Sequence, residues 1–258
     1  MKFKEELKDI GRNIYFYDSL GSTNDQARIL ATEGADHGSL VITETQNGGR
    51  GRRGRSFFSP EGVGIWMSMI LKPDIAPEKA SMLTLVAAVA VQETMEDFGI
   101  SSGIKWPNDL VVDGKKITGI LTEMSAEPDH IHHIILGIGI NVNMTEFPEE
   151  LRETATSMTM ATGKTYSRSE IIRRFLLHFD VNYDIFIKTG DLSFIKESYN
   201  ERLIHKDKEI RVHEIGRVWR GISRGITDTG ELIVTSEDGD IPVRSGEVSI
   251  RGVYGYME

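Results

Sequence analysis

Asp113-Gly114 stands between two apolar runs, Leu110–Val112 and Ile117–Met124. A two-residue turn of this kind takes positive φ at both positions and folds the chain straight back on itself. The flanking strands must then be antiparallel, which excludes a sheet built only from parallel βαβ crossovers. Helical patterns intervene all the same. Ser22-Thr23-Asn24 opens one running to about Glu33, with Thr23 and Gln26 in capping-box form and Gly34 where a C-terminal stop belongs. Pro77 and the apolar positions Met82, Leu85, Val86 and Val89 mark a buried helix ending near Gly99. Ser167–Lys188 is a third, with Ser167 and Glu170 as its capping box and an apolar stripe from Ile171 to Phe186. A further helix follows Asp191 and ends near Ile204.

Strands are expected at Asn13–Tyr17, Ser39–Thr45, Val63–Leu71, Ile104–Trp106 and Ile131–Val142. In Val63–Leu71 a period of two places Ile65, Met67, Met69 and Leu71 on one face and Trp66, Ser68 and Ile70 on the other. The pattern predicts an α+β domain: a mixed or mostly antiparallel sheet with helices on one side. From Lys206 onward the texture changes to short strands between Gly-containing turns: Asp228-Thr229-Gly230, Glu237–Asp240 and Ser245-Gly246. This predicts a boundary between a main domain, 1–205, and a small β-barrel, 206–258.

Chemistry concentrates in Gly48–Arg55, where four glycines and four arginines fill eight positions of a chain whose net charge is −9. Glycine lets a backbone approach a ligand closely, and arginine presents a planar fork of donors that fits phosphate or carboxylate. The stretch reads as a mobile loop that closes over a polyanion. A general nucleic-acid binder would carry a basic face, which the acidic balance argues against. A second cluster is Lys105-Trp106-Pro107-Asn108-Asp109, a lysine at a strand end before a rigid turn. Lys115-Lys116 and the strand Gly137-Ile138-Gly139-Ile140-Asn141 complete the unusual positions.

Other matches fail on spacing. Gly137–Val142 lacks the last glycine of a dinucleotide fingerprint. Gly163-Lys164-Thr165 has Met158 where a phosphate-binding loop needs glycine, so it reads as a polar turn. His130, His132 and His133 with Glu127 and Asp129 fit no standard zinc spacing and read as a solvated hairpin tip. With no cysteine, no apparent signal peptide in Met1–Asp9 and no apolar run of membrane-spanning length, a cytoplasmic protein is expected.

Taken in order, these clusters resemble the biotin protein ligases. The resemblance rests on Ser22-Thr23-Asn24, Gln46, Gly49–Arg55, Lys105–Asp109, Lys116–Leu121, Gly137–Asn141 and, near the C-terminus, Gly221–Ile226. It covers about residues 13 to 252. It implies a class II synthetase-like catalytic domain followed by an SH3-like barrel. Biotin and ATP are then substrates, with Mg²⁺, and a biotin carboxyl carrier domain is the acceptor. The implied chemistry is formation of biotinyl-5′-AMP and transfer of biotin to an acceptor lysine. Lipoate or octanoate transfer on the same fold is the alternative.

The resemblance also implies roles. Lys105, Arg50 and Arg52 are expected to act on the reacting groups, Lys105 bridging the biotin carboxylate and the α-phosphate, with Arg55 on the phosphates. Ser22, Thr23 and Gln46 are expected near the ureido group. Asn24, Gly49, Gly51, Phe57, Asn108, Lys116, Gly119, Gly137, Gly139 and Asn141 complete the expected ligand site. Some family members also repress transcription through an N-terminal winged helix-turn-helix. Only about a dozen residues precede the first strand here, so no DNA contact is expected, and neither is a membrane contact. Homodimers are known in the family.

Overall fold

The computed structural model describes residues 10–214, 216–245 and 249–252. Met1–Asp9 and the glycine of the expected Ser245-Gly246 turn lie outside the described residues. Seven strands form the main sheet: β1 (Ile14–Leu20), β2 (Ser39–Gln46), β3 (Gly64–Leu71), β4 (Gly103–Lys105), β5 (Asp109–Val112), β6 (Lys115–Ala126) and β7 (Ile131–Asn141). Their order is β1-β2-β3-β7-β6-β5-β4. Only β1 and β2 run parallel; every other pairing is antiparallel. The Asp113-Gly114 turn has the predicted geometry, with φ of 49° and 75°.

The helices are α1 (Thr23–Thr32), α2 (Met82–Asp97), α3 (Met158–Thr162), α4 (Arg168–Thr189) and α5 (Ser193–Arg202). They do not all lie on one side, as the pattern suggested. Ala27 and Ala31 of α1 pack on Val41, Ile70 and Ile135, forming a core separate from the main one. The main core holds α2 and α4 against Ile65, Met67, Met69 and Leu71. The alternation in β3 is as read, but both of its faces are buried. Helices on the two faces follow directly: a strand buried twice needs a cover on each side.

Two local expectations yield to tertiary contacts. Ser22, not Thr23, is the N-cap of α1, and it makes no side-chain cap bond. The free N–H of Thr23 is instead taken by Gln46 Oε1 at 2.8 Å. At α4, Ser167 accepts from the Glu170 N–H as a cap should. The Glu170 carboxylate, however, turns to Arg173 and Arg174 rather than back to the cap. Pro77 opens a short 3-10 turn, Pro77–Lys79, ahead of α2. At the hairpin tip, His130 and His132 are exposed and His132 faces Glu127 at 3.4 Å, but His133 is buried. Among the described residues no helix is long and apolar enough to cross a membrane.

The C-terminal strands are β8 (Glu209–Glu214), β9 (Arg217–Ile226), β10 (Leu232–Ser236), β11 (Gly239–Val243) and β12 (Ser249–Gly252). They form an antiparallel sheet in the order β11-β10-β9-β8-β12. Its apolar residues Ile210, Val212, Ile226, Leu232, Val234 and Val243 join the main core. The indole of Trp106, just past β4, donates to Gly230 O at 3.0 Å. His205 completes the seam. Its Nε2 accepts from Trp106 N at 3.3 Å, which leaves Nδ1–H to donate to Ser223 Oγ at 2.9 Å.

Burial, with Lys105 and Lys208 adding to it, pushes the His205 imidazole down to about 3. Its ordinary value in an unfolded chain is about 6.5. Between these values the unfolded chain binds a proton that the folded one rejects, so stability falls as pH falls through this window. Above pH 6.5 the residue has no effect. We expect wild type to lose about 2 kcal/mol more than His205→Gln between pH 7.5 and pH 5. Urea unfolding at the two pH values measures this, and parallel profiles for the two proteins would refute it.

Candidate functional site

The N-terminus of α1, the end of β2 and the chain that follows it border a solvent-open cleft over β6 and β7. Its polar rim is built outward from one buried hydroxyl. Ser68 is the single polar side chain in the apolar run of β3. Its Oγ lies 2.7 Å from Thr23 Oγ1 and 2.6 Å from Asn24 Oδ1. Asn24 Nδ2 donates to Glu123 Oε2 at 2.7 Å. Thr23 gives both its N–H and its hydroxyl to Gln46 Oε1, and Gln46 Nε2 donates to Ser59 Oγ at 2.9 Å. Gln46 therefore holds the helix start and the base of the following loop together.

That loop, residues 47–59, is a folded flap. Gly51 N donates to Arg55 O at 2.7 Å and Phe57 N to Gly49 O at 2.8 Å. Its tip is the 3-10 turn Arg52–Gly54, with Arg53 and Gly54 at positive φ. Gly49 is there for the flap itself: a Cβ would meet Phe57 O at 2.4 Å. Arg50 and Arg52 both border the cleft. Arg50 Nη2 reaches Asp25 Oδ1 at 2.7 Å. Arg52 donates through Nη1 to Asn108 Oδ1 at 3.1 Å and through Nη2 to the Ser245 carbonyl. Burial holds the Arg52 guanidinium below its usual range, against the pull of Asp109.

The glycines of β6 and β7 have occupants. A Cβ at Gly139 would meet the Phe57 ring at 2.6 Å, and one at Gly119 would meet it at 2.8 Å. A Cβ at Gly137 would lie 2.1 Å from Asn24 Oδ1. These positions were expected to give a ligand close access to the backbone. In this structure they instead seat Phe57 and Asn24. Phe57 also meets the edge of Trp66 at 5.8 Å, and Lys116 Nζ lies 5.5 Å from its ring centre.

The cleft brings together Ser22, Thr23, Asn24, Gln46, Arg50, Gly51, Arg52, Phe57, Asn108, Lys116, Gly119, Gly137 and Gly139. Four expected residues do not border it. Gly49 lies in the base of the flap, and Arg55 is exposed beyond it. Asn141 is buried and donates to Thr156 O at 3.0 Å, pinning the chain after β7. Lys105 ends the edge strand β4, beyond β5 as seen from β6. The lysine on the cleft wall is Lys116, whose Nζ lies 2.7 Å from Asp109 Oδ1. Sequence reading also missed Met67, Ile120, Leu121 and Ile138 on the wall. It missed the supports Asp25, Ser68 and Glu123 as well. Ser68 and Glu123 did carry a signal, each being a polar residue inside an apolar strand.

Electrostatically, the cleft joins three cationic side chains, each partnered by a carboxylate or an amide, to an apolar floor. Such a site can gather more than one anionic group and hold a flat, largely apolar body beside them. Among the described residues no three His, Asp or Glu side chains are grouped to hold a metal.

Comparison with known proteins gives a consistent result. The Biotin/lipoate A/B protein ligase family matches residues 18–141, and the Biotin protein ligase C terminal domain matches residues 205–251. The bifunctional ligase/repressor BirA of Bacillus subtilis is 38% identical over 255 residues, covering 97% of this chain and 78% of that protein. The biotin–[acetyl-CoA-carboxylase] ligase of Mycobacterium tuberculosis is 31% identical, covering 88% of this chain and 85% of its own length. Among solved structures, the biotin protein ligase from Aquifex aeolicus in complex with biotin and ATP superposes with a TM-score of 0.82. It is 29% identical, and the match covers 94% of this chain and all of that one.

The Phe57 seat sets an expectation for the flap. A methyl group at Gly139 overpacks the ring, at a cost of about 1–3 kcal/mol. Gly139→Ala should then loosen the flap and speed trypsin cleavage at Arg52 and Arg53 roughly ten-fold. Timed digestion of the two proteins reads this directly, and equal rates would show that Phe57 does not anchor the flap.

Proposed function

The chain belongs to the biotin protein ligase family, and on that premise we propose how its cleft joins biotin to ATP and passes it to a protein lysine. The biotin carboxylate attacks the α-phosphorus of ATP, pyrophosphate leaves, and biotinyl-5′-AMP forms. The neutral amine of a lysine on the acceptor then attacks the anhydride carbonyl. An amide forms and AMP leaves. ATP enters as its magnesium complex. The carboxylates near the cleft, Asp25, Asp109 and Glu123, already face Arg50 or Lys116. They form no dedicated cage, and Mg²⁺ is suited to arrive on the triphosphate instead. The acceptor is a biotin carboxyl carrier domain. The catalytic part takes residues 1–205 and the barrel 206–258.

The observation that carries this reading is the convergence of Arg50, Arg52 and Lys116 on one cleft. The first obstacle to the reaction is repulsion between a carboxylate and a triphosphate. Charge-assisted bonds from fixed cations offset it by roughly 1.5–3 kcal/mol each. Lys116 is the cation suited to the junction of the two anions, because it stands on the cleft wall beside Gly119 and is oriented by Asp109. Lys105 keeps a supporting place at the end of β4. The ring system of biotin suits the apolar floor once Phe57 moves off Gly119 and Gly139, with polar anchors at Ser22 and Thr23. A closed flap keeps water from the anhydride.

Mass spectrometry of a carrier domain after incubation with biotin and MgATP tests the assignment. Wild type should add one biotin per acceptor lysine. Lys116→Ala should slow adenylate formation on the order of 10²–10³-fold, the usual loss when a fixed stabiliser of developing charge is removed. Lys105→Ala should cost far less. A larger loss from Lys105→Ala than from Lys116→Ala would reverse the two roles.

A further inference from the structure

We propose that Asp25 and Glu123 are positioning residues for Arg50, clamping one nitrogen of its guanidinium so that the rest of the fork faces the phosphates of ATP. This rests on the ligase reading above. Among the described residues, every carboxylate contact of Arg50 runs through a single atom. Nη2 lies 2.7 Å from Asp25 Oδ1 and 3.4 Å from each oxygen of Glu123. Its Nε and Nη1 make no hydrogen bond among the described residues, and the side chain borders the cleft. An arginine held this way keeps a fixed orientation and unspent donors.

The clamp is itself anchored. Asp25 sits in the first turn of α1, where the positive end of the helix favours a carboxylate. Glu123 accepts from Asn24 Nδ2 at 2.7 Å, and Asn24 is held by buried Ser68 at 2.6 Å. Orientation is thus relayed from the core of β3 to a side chain on a flap. The need for it is plain from the flap's sequence. Gly49 and Gly51 flank Arg50 and bring no side chains to pack against its own, so its immediate neighbours do not orient the guanidinium. A cation left to search many rotamers must be ordered when the ligand arrives, which weakens binding. A clamped one is already in place.

The clamp and a mere competitor predict opposite results. If the two carboxylates only occupied Arg50, removing their charge would free it and tighten nucleotide binding. If they position it, removal weakens binding. Biotin-dependent exchange of labelled pyrophosphate into ATP measures this. Asp25→Asn and Glu123→Gln should each raise KM for MgATP roughly ten-fold, with kcat within about two-fold and KM for biotin unchanged. Glu123→Gln keeps an oxygen for Asn24, so the site network survives. Asp25→Glu should recover most of the loss. In an Arg50→Ala background, neither substitution should have a further effect. A fall in KM, no change, or a full effect without Arg50 would each overturn the clamp while leaving the ligase intact. Absence of biotin-dependent exchange in wild type would instead overturn the ligase reading, and the clamp with it.

Discussion

The site depends on a helix that begins over a sheet instead of in water. The first N–H groups of α1 have no partners within the helix, and groups buried without partners are costly. Gln46, at the end of β2, meets that demand at Thr23. Because Gln46 also bonds Ser59, the same side chain fixes both ends of the flap's base to the helix. Ser68 supplies the buried anchor beneath, and Gly137 leaves the room in which Asn24 can reach it. The polar rim, the flap and the placement of Arg50 all descend from this one local requirement.

Charge is handled with the same economy of means. An acidic chain concentrates cations at one cleft, where unshielded they would repel each other. Arg50, Arg52 and Lys116 are each met by a carboxylate or an amide oxygen. Asp25 is 40% exposed and Asp109 13%, so solvent reaches both ion pairs and their value to stability is small. Orientation is what they supply. Half-buried Arg52 is the exception in degree: its charge is disfavoured by desolvation, and its bonds to Asn108 and the Ser245 carbonyl tie the flap to two other parts of the chain.

Much of this was legible in the sequence where the determinants were local. Asp113-Gly114 specified its turn because few residue pairs tolerate two positive φ values in succession. The stripe of α4 and the cap at Ser167 were readable because a helix face repeats every 3.6 residues. What failed was what depends on partners far along the chain. The pairing of Thr23 with Gln26 had the right spelling, yet Gln46, 23 residues away from Thr23, took the N–H. The glycines of β6 and β7 were correctly singled out, but their occupants, Phe57 and Asn24, come from other elements.

The different places of Lys105 and Lys116 show the same limit at one residue's resolution. Both are lysines at strand termini near a turn, and residue type cannot separate them. Sheet order does. β4 is the edge strand, whereas β6 lies beside β7 and beneath the flap. A bulge between Leu110 and Val111 then shifts the β5–β6 register, pairing Val111 with Lys116. Asp109, two residues before the bulged position, meets the Lys116 ammonium across the strands. The Lys-Trp-Pro-Asn-Asp segment thus contributes to the cleft through Asn108 on Arg52 and Asp109 on Lys116, while its own lysine stays outside. A motif can mark a cleft correctly while its own lysine stands outside that cleft.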